Sequence, residues 1–104
     1  MKVVTTESGY DMSWRLGQCR SSQVYQDNEV YAEECCQEAG LYDLVCMDAY
    51  EDGWKGGYIE IEGTQYCKDF VCENYYTDWY EICDVKVEEV TMGNVILHTY
   101  MICL

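Results

Sequence analysis

Tyr10-Asp11-Met12-Ser13-Trp14-Arg15-Leu16 is the stretch on which the fold class turns. Tyr10, Met12, Trp14 and Leu16 recur at every second residue, with Asp11, Ser13 and Arg15 between them. That is the period at which an extended backbone sends successive side chains to opposite faces. The spacing predicts a strand with four large apolar groups on one side, ended by Gly17. Downstream, residues 18–28 are polar and carry Ser21, Ser22, Asp27 and Asn28, the composition of a loop. Residues 30–35 read as a second strand or, over 31–38, as a short helix stopped by Gly40, because Ala32, Glu33, Glu34, Gln37, Glu38 and Ala39 are helix formers. Residues 41–47 alternate again with both faces fairly apolar, as an interior strand would. In Tyr58-Ile59-Glu60-Ile61-Glu62 isoleucines on one face oppose acids on the other. Gly63 opens a turn; residues 64–70, 80–90 and 94–103 read as further strands, with a loop at 74–78 and a turn at Met92-Gly93-Asn94. Roughly seven short strands with hardly any helix period point to an all-β fold, an antiparallel β-sandwich in a single domain over residues 1–104.

The composition agrees. A chain of 104 residues has room for one domain with a modest core. Its apolar runs, such as Val95-Ile96-Leu97, fall far short of the ~20 residues of a membrane-spanning helix. Six Lys and Arg against 20 Asp and Glu make nucleic acid a poor partner. The 8 cysteines, Cys19, Cys35, Cys36, Cys46, Cys67, Cys72, Cys83 and Cys103, are an even number and dense enough to read as a disulfide framework made in an oxidising, extracellular compartment. Which pairs form is open, except that adjacent Cys35 and Cys36 should go to different partners. No Cys-x-x-Cys occurs and His98 is the sole imidazole, which argues against zinc and against a thioredoxin-like redox motif. The opening Met1-Lys2-Val3-Val4 leads straight into polar sequence without an apolar leader core, so either the chain is a mature form or a segment, or the secreted reading is wrong.

A net charge of −14 makes a small body attract cations, and carboxylates are what calcium prefers. Asp48, Glu51 and Asp52, with Gly53 following, make an oxygen-rich turn suited to Ca²⁺. It is not an EF-hand, because Ile59 stands at the twelfth position where a bidentate Glu is needed. The run Asp48-Ala49-Tyr50-Glu51-Asp52-Gly53-Trp54-Lys55-Gly56-Gly57 resembles the Asp-Ser-Tyr-Gly-Asp-Gly-Trp-Asn-Gly signature of secreted, cysteine-rich β modules in extracellular proteins of algae, protists and marine microbes. Asp48, Tyr50, Asp52, Gly53, Trp54 and Gly56 match it; Ala49, Glu51 and Lys55 depart from it. The resemblance implies a β-rich extracellular domain without an established catalytic role. A purely structural reading of the same residues has Trp54 plugging the core, the glycines turning the chain, and Asp48 and Asp52 accepting backbone hydrogen bonds.

Catalysis finds little support. The even cysteine count leaves no spare thiol for His98, and no phosphate loop, nucleophile elbow or zinc-binding helix motif is present. Tyr75, Tyr76, Trp79 and Tyr80 cluster beside Asn74, Asp78 and Glu81, a composition suited to contacting a glycan or protein ligand as well as to a core. Residues 2–6 and 95–104 are strand-like and apolar, so each terminus either pairs within the domain or offers an edge to another subunit. The expected role is a non-enzymatic structural subunit of an extracellular filament, coat or matrix, self-associating and stabilised by calcium. The alternative is a monomeric calcium-dependent module for a glycan or protein ligand.

Overall fold

The computed structural model describes residues 1–7, 9–49, 53–70, 85–93 and 101–104. In chain order the strands are β1 (Lys2–Val4), β2 (Met12–Leu16), β3 (Cys19–Arg20), β4 (Val30–Ala32), β5 (Cys36–Glu38), β6 (Gly40–Asp48), β7 (Tyr58–Ile61), β8 (Thr64–Tyr66), β9 (Val85–Met92) and β10 (Met101–Cys103), with a 3₁₀ turn at Gly9–Asp11 before β2. They form two four-stranded antiparallel sheets, β4-β1-β7-β8 and β3-β2-β6-β9, and a two-stranded ribbon, β10-β5. The all-β, disulfide-braced antiparallel sandwich expected from the alternation is what the chain adopts.

The sheets meet through the faces that the period-two pattern makes apolar. From β2, β6 and β9 come Met12, Trp14, Leu16, Leu44, Cys46, Val90 and Met92; from β1 and β7 come Val3, Ile59 and Ile61. Trp54, Phe70 and Tyr25 fill the space between them from loops. Cys46–Cys67 ties the two sheets through the core, Cys19–Cys35 ties β3 to the chain entering β5, and Cys36–Cys103 links directly paired residues of β5 and β10. Cys35 and Cys36 do go to different partners. Cys72, Cys83 and His98 lie outside the described residues. Three disulfides among the described residues of one small domain indicate an oxidising environment.

Several expectations change. Residues 31–38 form no helix: β4 and β5 occupy that stretch, separated by residues 33–35, because each strand finds a ladder in β1 or β10 that outweighs helix propensity. Tyr10 does not share the face of Met12, Trp14 and Leu16; it sits in the 3₁₀ turn, 56% exposed. Within residues 18–28, read as loop, β3 forms a short ladder with β2, and Tyr25 is fully buried. The strand read over 64–70 stops at Tyr66, since Cys67 takes a positive φ of 63° and turns the chain toward Phe70. The two last predicted strands are seen as β9, which continues to Met92, and β10; residues 80–84 and 94–100 lie outside the described residues. The N-terminal strand offers no edge: β1 pairs with β4 on one side and β7 on the other. The C-terminal strand pairs within the domain on one side, with β5.

Candidate functional site

The segment that resembles the extracellular β modules leaves the end of β6. Asp48, the last residue of β6, lies opposite Met12, and the Ala49 amide donates to the Asp11 carbonyl at 3.1 Å. Asp11 and Asp48 are both buried, at 3% exposure each, near one end of the β2-β6 ladder. Tyr50, Glu51 and Asp52 lie outside the described residues, so of the acids assigned to calcium the structure places Asp48 alone. Gly53 takes a positive φ of 82°, and Trp54 after it enters the core. The Trp54 indole N–H donates to the Met47 carbonyl at 2.9 Å, and its backbone N–H donates to the Phe70 carbonyl at 2.9 Å. Its ring tilts against that of Phe70, 5.8 Å between centroids. Gly57 closes the turn by donating to the Trp54 carbonyl at 2.8 Å; a Cβ there would press on the Met12 thioether. The Thr6 hydroxyl donates to the Lys55 carbonyl at 2.9 Å, fastening the turn to the segment after β1. In this part of the motif Trp54 and the glycines are therefore structural.

Among the described residues, one group of three metal-ligating side chains converges: Glu34, Cys36 and Cys103. Both sulfurs are spent in a disulfide, which leaves no thiolate to bind an ion, and the group has none of the oxygen-rich character that calcium needs. Tyr75, Tyr76, Trp79 and Tyr80, read as ligand contacts, lie outside the described residues. Comparison of the chain with protein families, curated proteins and solved structures finds no match. The resemblance of residues 48–57 to extracellular β modules thus rests on those residues alone.

Two polar networks hold the framework. Tyr25 sits at the centre of one: its hydroxyl accepts from the Trp14 indole N–H at 2.9 Å and donates to Glu33 Oε1 at 2.7 Å, and Gln23 Nε2 donates to the same carboxylate oxygen at 2.9 Å. Burial pushes the Tyr25 phenol well above its ordinary range; the bond to Glu33 adds to this and the Trp14 N–H opposes it. Gln37, 4% exposed, is the second: its Nε2 donates to the Leu16 carbonyl at 3.0 Å and meets the Met92 sulfur at 3.0 Å, while its Oε1 accepts the Gln18 amide at 2.9 Å. Beside it Gln18, Glu38, Tyr42 and Met101 line a cleft of about 250 Å³.

The sequence reading passed over the outer face of the β3-β2-β6-β9 sheet. Here Val45 pairs with Val87 and Met47 with Val85, apolar side chains directed away from the core. Val85 and Val87 are 45% and 53% exposed, and Val45 and Met47 are half-buried. On the same face Arg15 pairs with Arg20 and Asp43 with Glu89. The signal was present in the alternation of 10–16 and 41–47, which sets Arg15, Asp43, Val45 and Met47 opposite the core positions. The pairing with Arg20, Val85, Val87 and Glu89 is a matter of register.

Proposed function

We propose that this chain is a non-enzymatic structural subunit of an extracellular assembly, a filament, coat or matrix component, that works by self-association. The observation that supports this reading best is the outer face of β6 and β9, where Val45, Met47, Val85 and Val87 form an apolar strip on an otherwise acidic body. A contiguous apolar surface set in a polar rim is the mark of a surface that another molecule covers. The three disulfides among the described residues give such a subunit the rigidity and the resistance to unfolding that a long-lived extracellular component needs. With β1 paired on both sides inside the domain, the N-terminal strand is not the donor, and this reading places association on the sheet face.

Calcium enters this reading as a stabiliser held by Asp48 with Glu51 and Asp52, and as a bridge between acidic surfaces. Light scattering of the non-reduced protein in millimolar calcium and after chelation tests both parts. An assembly that dissociates on chelation is the expected result. One that persists removes calcium as the glue. A monomer under both conditions refutes the assembly reading in favour of a module that presents Tyr75, Tyr76, Trp79 and Tyr80 to a glycan or protein.

A further inference from the structure

We infer that the partner of the β3-β2-β6-β9 outer face is the same face of a second copy, related by a two-fold axis that passes near Val45 and exchanges the Arg15/Arg20 pair with the Asp43/Glu89 pair. This rests on the self-association reading and specifies its geometry. Arg15 and Arg20 are the only arginines of a chain with net charge −14, yet they stand directly opposite one another on neighbouring strands. Asp43 and Glu89 do the same on β6 and β9. Like charges directly opposed on a sheet face are destabilising in the isolated domain. Neither arginine, Asp43 nor Glu89 makes an ion pair among the described residues, where the ion pair is Lys86 with Asp69 at 3.4 Å. Each pair thus has what the other lacks.

Their positions permit the exchange. Arg20, Arg15, Val45 and Val87 form one row across the four strands, and Asp43 with Glu89 stand one same-face position further along β6 and β9. Strands lie about 4.8 Å apart and same-face neighbours about 6.8 Å apart along a strand, so on an untwisted lattice the centres of the two charge pairs are about 12 Å apart. A two-fold axis in the interface plane that bisects this separation passes through Val45. It lays Val45 on the partner's Val45 and Val87 near the partner's Met47, and it places the basic pair of each copy on the acidic pair of the other. The strands of the two faces then cross at roughly 70°, toward the orthogonal class of sheet packing. Both contacts recur by symmetry, as a closed two-fold interface requires. The patch spans about 400 Å² of flat face per copy, below what a stable dimer buries, so the dimer is a weak contact; being closed, it makes a two-copy unit, and a larger assembly needs a second contact.

The test is a reciprocal charge swap read by sedimentation equilibrium at about 0.15 M salt, with and without millimolar calcium, where the Debye length of about 8 Å screens net repulsion but leaves contact pairs. Arg15→Glu/Arg20→Glu and Asp43→Arg/Glu89→Arg are prepared separately, with circular dichroism matching the wild type as the check on folding. All four positions are exposed. Wild type should self-associate between micromolar and roughly 1 mM chain; each swap alone should weaken this at least about tenfold, and an equimolar mixture should restore it as a heterodimer. Val87→Asp, which leaves the charge pairs intact, should weaken it as well. Wild type that stays monomeric throughout refutes the self-association reading itself. Self-association unaffected by the swaps, or not restored in the mixture, leaves that reading standing and overturns the proposed geometry.

Discussion

Replacing Tyr25 with Phe removes one oxygen from a fully buried side chain and tests whether the Trp14–Tyr25–Glu33 network or the ring alone holds the loop to the core. The Trp14 indole is 1% exposed, and its N–H has the Tyr25 hydroxyl as its acceptor at 2.9 Å. Without that oxygen a buried donor is stranded, at a cost of about 1–3 kcal/mol. The bond to Glu33 is less costly to lose, because that carboxylate is half-buried and keeps Gln23. A net loss of about 2 kcal/mol follows, or a fall of about 8–16 °C in the melting temperature for a domain near 100 residues. Tyr31→Phe is the control: its hydroxyl accepts the Gln26 amide at 2.6 Å at an exposed site, and its loss should cost under about 1 kcal/mol. The pH dependence carries the same logic. Burial raises the Tyr25 phenol in the folded state, so the unfolded chain loses its proton more readily. This component of stability is fully present below about pH 10, and it declines as the pH rises past that value. Urea unfolding at neutral and alkaline pH measures both effects. A Tyr25→Phe loss no larger than that of Tyr31→Phe, or an equal alkaline decline in wild type and Tyr25→Phe, would refute the argument.

Four further outcomes follow from the framework. Cys36–Cys103 closes a separation of 67 residues, so Cys36→Ser/Cys103→Ser should lose up to about 4 kcal/mol in denaturant unfolding. Because Cys103 is exposed while Cys35, Cys46 and Cys67 are buried, mild reduction followed by alkylation and peptide mapping should label Cys36 and Cys103 before those three. Deleting residues 2–6 removes β1 from between β4 and β7, so circular dichroism should report unfolding rather than a folded monomer that has lost assembly. Gly17→Ala should cost about 2–4 kcal/mol in a thermal melt, because Gly17 has φ 58° and a Cβ there would strike Tyr42 and the Gln37 carbonyl that holds the Gln18 amide.

Alternation decided a large part of this fold before any tertiary contact was known. Met12, Trp14 and Leu16, and likewise Ile59 and Ile61, face the core because a strand's side-chain period is two, a property of the backbone itself. The separate partners of Cys35 and Cys36 follow from equally local geometry. At the candidate site, the purely structural reading of Trp54 and its glycines was legible, since a large aromatic flanked by glycines has few other uses in a small sandwich. Tertiary structure alone decided the rest. Tyr25 looked like part of a polar loop and is fully buried, because the Trp14 indole needs an acceptor and two other elements shape the space around it. Residues 31–38 had good helix formers and became strands, because β1 and β10 supply ladders. The juxtaposition of Arg15 with Arg20, Val45 with Val87 and Asp43 with Glu89 is a fact of register. Register is set by contacts between residues far apart in the chain, summed over a whole buried face, and no short stretch of sequence contains that sum.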